Sequence, residues 1–224
     1  MSKGKQLVIV GAGEFALIAY EYFTHDSDYE VVAFSVHKDF IQNTSLCGKP
    51  IVELETLCDK YPPIDFEVFV AIPATDLNRT RTKLFNELKN KGYTFATYVS
   101  SHSFVWHNAI IGENCFIFEN NTVQPFVTIE DNVILWSGNH IGHRTIIREN
   151  CFITSHAVIS GYCEIGSGSF VGVNSTCNDR TSLAENCILG SGAVVTKHLK
   201  QAETIYVGNP AKPFPRKSAF DVEL

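Results

Sequence analysis

Two histidines stand three residues apart in the stretch WSGNHIGHRTII, whose other side chains are mostly small, aliphatic or amide. Imidazole titrates near neutral pH, so His140 and His143 are candidates for a general base or for metal ligands. A catalytic zinc site needs a third protein ligand, and the nearest candidate, His156, belongs to a different repeat without a carboxylate or thiolate beside it. We therefore expect no metal and favour His143 as a general base. An ordinary surface position stays open for either histidine, and more so for His140.

Residues 105–195 repeat with a period of six. Sixteen positions spaced by six, from Val105 to Val195, carry aliphatic side chains except at Cys177. Four positions after each of them the side chain is usually small. Four of the seven cysteines occupy such places, where free cysteine is a good small filler: Cys115, Cys151, Cys163 and Cys187. Ordinary strand alternation does not produce sixteen consecutive hexads, so the pattern predicts a repeat architecture.

The period resembles the hexapeptide repeat of left-handed parallel β-helix acyltransferases, in which three hexads make one triangular coil of eighteen residues. The left hand is implied by that resemblance, because parallel crossovers are generally right-handed. With this coil length, Asn121 and Asn139 lie on adjacent coils, and we expect them to stack as an inward-facing amide ladder.

The same coil places the two histidines. Strand alternation turns His140 outward, whereas His143 comes two residues after the inward Ile141 and lies at a corner between faces. Gly161 follows His143 by eighteen residues and has no side chain, so we expect space for a ligand beside the imidazole.

The motif GNHIGH, with ISG and GVN downstream and VGNPAK near the end, is similar to the sugar O-acyltransferase family. That family includes the sialic acid O-acetyltransferases and the bacterial nucleotide-aminosugar N-acetyltransferases. The resemblance covers nearly the whole chain and implies that His143 is the catalytic base, that Asn139 and His140 contact the substrate, and that the protein is a homotrimer. Members often carry an acidic residue directly after this histidine. Here that residue is Arg144, which leaves open the group that orients the imidazole.

Binding of acetyl-CoA is also implied by the resemblance. GNPAK recurs beside the coenzyme in hexapeptide acyltransferases, and the segment 197–217 carries five basic residues, Arg216 among them, against Glu203 alone. This basic cap suits the phosphates of coenzyme A, and a solvated tail is the alternative. The residues assigned to the coenzyme are His156, Gly161, Val173, Ser191, Gly208 and Lys212.

The first hundred residues alternate between strand and helix. The segments QLVIV, EVVAF, FEVFVAI and YTFATYV are predicted as strands, with helices at 14–24, 52–60 and 76–91. This βαβ pattern predicts a small parallel sheet with covering helices. The turn VIVGAGEFA allows close backbone approach and opens a helix whose N-terminus attracts phosphate, although a tight turn without a ligand is the alternative.

In the similar family this turn holds the diphosphate of a nucleotide-linked sugar. The predicted substrate contacts are therefore Gly11, Gly13, Glu14, Phe15 and Ser35. An NAD enzyme would have an acidic residue at the end of the second strand, where this chain has Ser35 and Val36.

Composition excludes several other classes. The net charge of −6 is spread over the 224 residues, so nothing indicates binding to nucleic acid or an anionic membrane. The first apolar run is too short for a signal peptide or a membrane span, and we expect a cytoplasmic protein. The odd number of cysteines without CxxC spacing indicates neither a disulfide framework nor a zinc knuckle.

These observations predict an α/β Rossmann-like domain in residues 1–100 that binds a nucleotide sugar, followed in 101–224 by a left-handed parallel β-helix with a C-terminal cap. The function expected is acetyl-CoA-dependent N-acetylation of a nucleotide-linked amino sugar, in lipopolysaccharide or O-antigen biosynthesis. O-acetylation of sialic acid or another sugar and a non-catalytic solenoid that binds nucleotide sugars are the alternatives.

Overall fold

A computed structural model describes residues 4–224, and the chain forms two compact units. The first comprises the residues up to Pro73 together with Arg81–Tyr98, and the second comprises Ala74–Thr80 together with Val99–Leu224. The helices are α1 (Glu14–His25), α2 (Leu57–Lys60) and α3 (Arg79–Asn90).

The first unit contains a five-stranded sheet. Its strands are β1 (Lys5–Val10), β2 (Tyr29–Val36), β3 (Ser45–Leu46), β4 (Lys49–Glu53) and β5 (Glu67–Val70), in the spatial order β3-β4-β2-β1-β5. All neighbouring pairs are parallel except β3 and β4. The last four residues of β1 are buried, as expected of a central strand covered on both faces. The Rossmann-like prediction is confirmed.

Two segments of this unit differ from the sequence-based expectation. The hairpin of β3 and β4 was not predicted; it turns at Cys47 and Gly48, which both adopt positive φ. The segment 93–99 forms no long strand, because its contact with β5 is the single bridge between Val68 and Phe95.

The second unit is a left-handed parallel β-helix, as predicted. Its coils consist of two-residue strands six residues apart: β6 (Tyr98–Val99), β7 (Phe104–Val105), β8 (Ile110–Ile111), β9 (Phe116–Ile117), β10 (Thr122–Val123), β11 (Thr128–Ile129), β12 (Ile134–Leu135), β13 (His140–Ile141), β14 (Ile146–Ile147), β15 (Phe152–Ile153), β16 (Val158–Ile159), β17 (Glu164–Ile165), β18 (Phe170–Val171), β19 (Thr176–Cys177), β20 (Ser182–Leu183), β21 (Ile188–Leu189) and β22 (Val194–Val195). Strands eighteen residues apart pair in parallel, for example Thr122 with His140.

Three sheets form the faces of the solenoid. Face 1 has the order β22-β19-β16-β13-β10-β7, and face 2 has the order β20-β17-β14-β11-β8. Face 3 runs from β6 to β21 and continues into β23 (Thr204–Val207) and β24 (Lys212–Ser218), which form an antiparallel cap. The side chain of Arg216, one of the predicted basic residues of this cap, lies outside the described part of the chain.

The interior of the solenoid is filled by the aliphatic positions of the repeat and by small side chains. Ile117, Ile141 and Val195 are fully buried, and so are the cysteines that follow the aliphatic positions. Burial raises the pKa of Cys177 to about 12 and that of Cys187 to about 11.

The predicted amide ladder lies in a different column. Asn114 Nδ2 donates to Asn132 Oδ1 at 2.8 Å, and Asn132 Nδ2 donates to Asn150 Oδ1 at 2.7 Å. The expectation for Asn121 and Asn139 is wrong, because both amides donate to the carbonyl of Trp136. The carbonyl oxygen of Trp136 therefore takes the hydrogen bonds that the two amides were expected to exchange with each other.

From the corner after β8 onward, each corner of the coils has one residue in the left-handed backbone region. These residues recur every six positions from Asn114 to Gly192 and are mostly asparagine or glycine, which tolerate that conformation. The exceptions are Phe126, Arg144, His156, Tyr162 and Arg180. The repeat therefore fixes the corner geometry and allows the side chains to vary.

The segment 74–80 packs on the solenoid within the second unit. Asn78 Nδ2 donates to the carbonyl oxygen of Gly168 at 3.0 Å, and Leu77 joins a small apolar cluster with Ile188 and Ile205. None of the helices in the described part of the chain is long and apolar enough to cross a membrane.

Candidate functional site

His143 lies at the corner between faces 1 and 2, directly after β13, and is exposed. Its imidazole lies over Gly161 on the next coil, where an added β-carbon would come within 2.6 Å of His143 Cε1 and 2.9 Å of Nδ1. Gly161 has no left-handed φ, so this glycine is needed for space and not for its backbone angles. The space predicted for a ligand beside the imidazole is therefore occupied by the imidazole itself.

Gln124 is the polar side chain beside this imidazole. Its Oε1 accepts a hydrogen bond from the backbone N–H of His143 at 2.9 Å and lies 3.3 Å from His143 Nδ1. The eighteen-residue spacing did not predict Gln124, because it lies nineteen residues before His143. A search one position either side of the eighteen-residue register would have found it.

A column of alternating aromatic and arginine side chains follows the same corner. The Arg144 guanidinium lies 4.5 Å from the ring centre of Phe126, and the Arg180 guanidinium lies 4.4 Å from that of Tyr162. The Tyr162 ring meets the His143 ring edge to face, with 5.1 Å between their centres. Arg144 stacks on the preceding coil and takes no part in orienting His143.

The remaining residues of the predicted motif lie on β13 and just before it. His140 faces outward and is half-buried on face 1, between Thr122 and Val158 of the neighbouring strands. Asn139 is 1% exposed, and its Oδ1 accepts from the N–H of Ala157 at 2.7 Å. Its amide hydrogen-bonds within the coil, and a contact between this buried side chain and a substrate stays a prediction.

Five of the six predicted coenzyme residues lie around a different corner. His156, Val173 and Ser191 are exposed at the corner between faces 3 and 1 on successive coils. The carbonyl of Gly208 accepts from the N–H of Val194 on the last coil, which places the cap segment with exposed Lys212 at the end of this corner. Gly161 does not join them, because it lies under His143.

His156 also lies beside a glycine, although it is itself the left-handed residue of its corner and its glycine precedes it. A β-carbon added at Gly138, on the preceding coil, would come within 2.5 Å of its imidazole. Two exposed corners of the solenoid therefore each carry a histidine stacked on a glycine. Among residues 4–224, no group of three or more His, Cys, Asp or Glu side chains is arranged to hold a metal ion.

The predicted phosphate turn of the first unit joins β1 to α1. Gly11 has φ +134°, and an added β-carbon would lie 2.7 Å from the carbonyl oxygen of Ala71. Gly13 is the N-cap residue of α1 and has no side chain that could cap the helix. Glu14 is exposed in the first turn. The first turn of the helix thus offers backbone N–H groups beside a carboxylate.

The two other predicted residues of this turn are buried. Phe15 packs edge to face on Phe69 in the core, so its contribution to a ligand is limited to its backbone. Ser35 ends the buried part of β2, and its carbonyl accepts from the N–H of Gly11 at 2.8 Å. Its fully buried hydroxyl has no hydrogen-bond partner within residues 4–224.

Comparison with known proteins supports the architecture. Residues 108–143 and 126–161 match the family described as bacterial transferase hexapeptide (six repeats), which confirms the predicted repeat. No curated protein sequence matches the chain.

Solved structures match over most of the chain. One is the acetyltransferase domain of PglB from Neisseria gonorrhoeae in complex with acetyl coenzyme A, with TM-score 0.83, 24% identity and coverage of 94% of this chain and 100% of that one. Another is a histidine-to-asparagine variant of perosamine N-acetyltransferase from Caulobacter crescentus in complex with CoA and GDP-perosamine, with TM-score 0.83, 21% identity and coverage of 95% and 98%. WeeI from Acinetobacter baumannii has TM-score 0.65, 21% identity and coverage of 94% and 100%. These likenesses show that the two-unit fold is shared.

Proposed function

We propose that the protein is an acetyl-CoA-dependent N-acetyltransferase acting on a nucleotide-linked amino sugar. The observation that carries the proposal is the exposed imidazole of His143, supported by Gly161 below and Gln124 beside it. It belongs to a fold shared with an acetyltransferase domain that binds acetyl coenzyme A and with a perosamine N-acetyltransferase that binds CoA and GDP-perosamine. The histidine replaced in the latter protein also favours a histidine-dependent reaction.

His143 acts as the general base in this proposal. The sugar amine attacks the carbonyl carbon of the thioester, the imidazole takes the proton that the nitrogen loses, and the carbon–sulfur bond then breaks. The proton returns to the departing thiolate, so the products are an N-acetyl sugar and coenzyme A. Backbone N–H groups at the solenoid corner can stabilise the oxyanion of the tetrahedral intermediate.

Acetyl-CoA is proposed to bind between neighbouring copies of the chain in a homotrimer. His156, Val173 and Ser191 lie on the corner between faces 3 and 1, whereas His143 lies on the corner between faces 1 and 2. A whole face separates the two corners in one chain, so we place the coenzyme on the first corner of one copy, within reach of His143 of another. Lys212 extends the same corner with a positive charge for the coenzyme phosphates.

The nucleotide sugar is proposed to contact the turn after β1. Gly11, Gly13 and the start of α1 offer backbone N–H groups to a diphosphate. The buried hydroxyl of Ser35, near the end of the neighbouring strand β2, adds a polar group with unused hydrogen-bonding capacity. We place the reaction in the cytoplasm, in the synthesis of a surface glycan such as an O-antigen.

Replacement of His143 by asparagine tests the base. Loss of a positioned general base costs about 10²- to 10⁴-fold in rate, so release of coenzyme A should fall by that factor in His143→Asn. Thermal melting and calorimetric binding of the nucleotide sugar should be unchanged, because the imidazole is exposed and supports no core. His140→Asn is the matched control on the outer face and should be much milder. An active His143→Asn variant would exclude the base assignment.

A further inference from the structure

The hydrogen bond at the backbone of His143 determines how the Gln124 amide is oriented. A backbone N–H is only a donor, so the atom that faces it at 2.9 Å must be the oxygen and not the NH₂ group. The choice between oxygen and nitrogen, which is usually ambiguous for a glutamine, is therefore fixed here by chemistry.

The same oxygen then determines the tautomer of the imidazole. Gln124 Oε1 lies 3.3 Å from His143 Nδ1, and an amide oxygen can only accept a hydrogen bond. Nδ1 must consequently carry the proton when the pair is bonded. In the neutral ring Nε2 is then unprotonated and is the nitrogen able to accept a proton.

Other contacts hold both partners of this pair in place. The N–H of Gln124 donates to the carbonyl of Ile141 at 3.0 Å, and the N–H of Tyr162 donates to the carbonyl of His143 at 2.9 Å. The ring itself has the glycine Gly161 below it and meets the ring of Tyr162 nearly at a right angle. The imidazole therefore has neighbours on three sides, Gln124, Gly161 and Tyr162.

We propose that Gln124 is a positioning residue that holds His143 in the Nδ1–H tautomer and leaves Nε2 as the base. In the reaction the amine N–H bond breaks and an Nε2–H bond forms, while Nδ1–H stays bonded to Gln124 Oε1. The imidazolium then returns the Nε2 proton to the departing thiolate. The catalytic half of this inference rests on the proposed function, whereas the tautomer does not.

The tautomer is measurable without any turnover. Long-range ¹H–¹⁵N correlation spectra of protein labelled with ¹⁵N-histidine, in buffer alkaline enough for neutral imidazole, separate Nδ1–H from Nε2–H rings, and the His143→Asn variant assigns the signal. We expect Nδ1–H in the parent and a shift toward Nε2–H, the form that free histidine favours, in Gln124→Leu. Gln124→Glu keeps an acceptor and should keep Nδ1–H. The signal of His140 serves as an internal control and should not change.

Steady-state kinetics then test the consequence. We expect kcat of Gln124→Leu to fall by on the order of 10²-fold, since a base in the wrong tautomer is largely inactive, with KM for both substrates little changed. Gln124→Glu should restore most of the rate. Melting curves of both variants should match the parent.

Each contrary result identifies a different error. An Nε2–H ring in the parent, or an Nδ1–H ring that persists in Gln124→Leu, overturns the assignment of Gln124 whatever the activity. If the His143 tautomer changes in Gln124→Leu but kcat stays at the parent value, the catalytic role of Gln124 is wrong. If the tautomer follows Gln124 but the parent acetylates no nucleotide amino sugar, the positioning of the ring is supported and the proposed function fails.

Discussion

At the scale of single residues, the position of the His143 ring depends on the absence of a side chain at Gly161. A side chain there would meet the far end of a flexible imidazole, which can swing aside, and would leave the backbone undisturbed. We therefore expect a substitution at this position to affect the proposed catalytic ring more than the stability of the fold.

Gly161→Ala should therefore lose activity without losing stability. The added methyl displaces the ring from Gln124, so kcat should fall at least about tenfold, as expected when a catalytic group is misplaced by about an ångström. Ser167→Ala, at the equivalent position of the following corner between faces 2 and 3, is the control and should keep the parent rate. A normal kcat in Gly161→Ala would show that activity does not depend on the position of the His143 ring over Gly161. A large drop in melting temperature would show that Gly161 has a structural role.

The sequence predicted the corner position of His143 and its neighbour Gly161 but not Gln124. Eighteen-residue spacing correctly brings Gly161 beside it, yet a period cannot tell which side chain fills the gap that a glycine leaves. Gln124 was missed for a related reason: its side chain reaches across the register, and side-chain reach is not encoded in the period.

At the scale of structural elements, the column of Asn114, Asn132 and Asn150 ties three successive coils together at one corner. Asn132 is fully buried, both accepts and donates in this ladder, and has φ +60°. Each hydrogen bond lost between these buried side-chain amides leaves a polar group without its partner.

Asn132→Gly should destabilise the solenoid by about 2 kcal/mol or more, since a buried group that loses its partner costs about 1–3 kcal/mol. Asn174→Gly is a matched control, because Asn174 is exposed and has a similar φ of +56°; its effect should stay within about 0.5 kcal/mol. Urea denaturation compares the two variants. Equal losses of stability would mean that the ladder contributes nothing beyond its backbone conformation.

The cysteines of the coils should not react in the folded protein. Burial raises the pKa of the Cys177 and Cys187 thiols far above neutral, and the thiolate is the reactive form. Cys47 lies exposed in the hairpin turn of the first unit. Native alkylation followed by peptide mass spectrometry should label Cys47 and leave Cys177 and Cys187 unmodified until denaturant is added. Rapid labelling of Cys177 in the native protein would show that the coils open.

At the scale of the whole molecule, the two halves of the sequence were predictable to different degrees. The hexads from Val105 to Val195 specify the register directly, because every aliphatic residue must point inward in a narrow prism. The first unit has no such constraint, and its short hairpin at 45–53 and the irregular segment 93–99 depend on tertiary packing that local pattern does not contain. That the predicted coenzyme residues and the predicted base lie at two different corners was likewise recognised only from the structure.

That division predicts that one chain is insufficient for catalysis. Light scattering should give three times the mass of one chain under assay conditions. We expect His143→Asn, and a Ser191→Arg variant that blocks the proposed coenzyme corner, to be inactive alone. A mixture of the two should regain part of the activity after subunit exchange, because some sites then combine two intact corners. Absence of recovery after demonstrated exchange would place both corners' functions in the same chain.

The central claim is that this chain moves an acetyl group from acetyl-CoA to the nitrogen of a nucleotide-linked amino sugar. The most direct measurement is coenzyme A release with matched pairs of nucleotide sugars that carry either an amine or a hydroxyl at the same carbon, with the product identified by mass spectrometry. We expect release with at least one amino sugar, an equal amount of N-acetyl product, and no release with its hydroxyl counterpart. Acetylation of the hydroxyl sugars alone, or no turnover with any pair while acetyl-CoA binds, would contradict it.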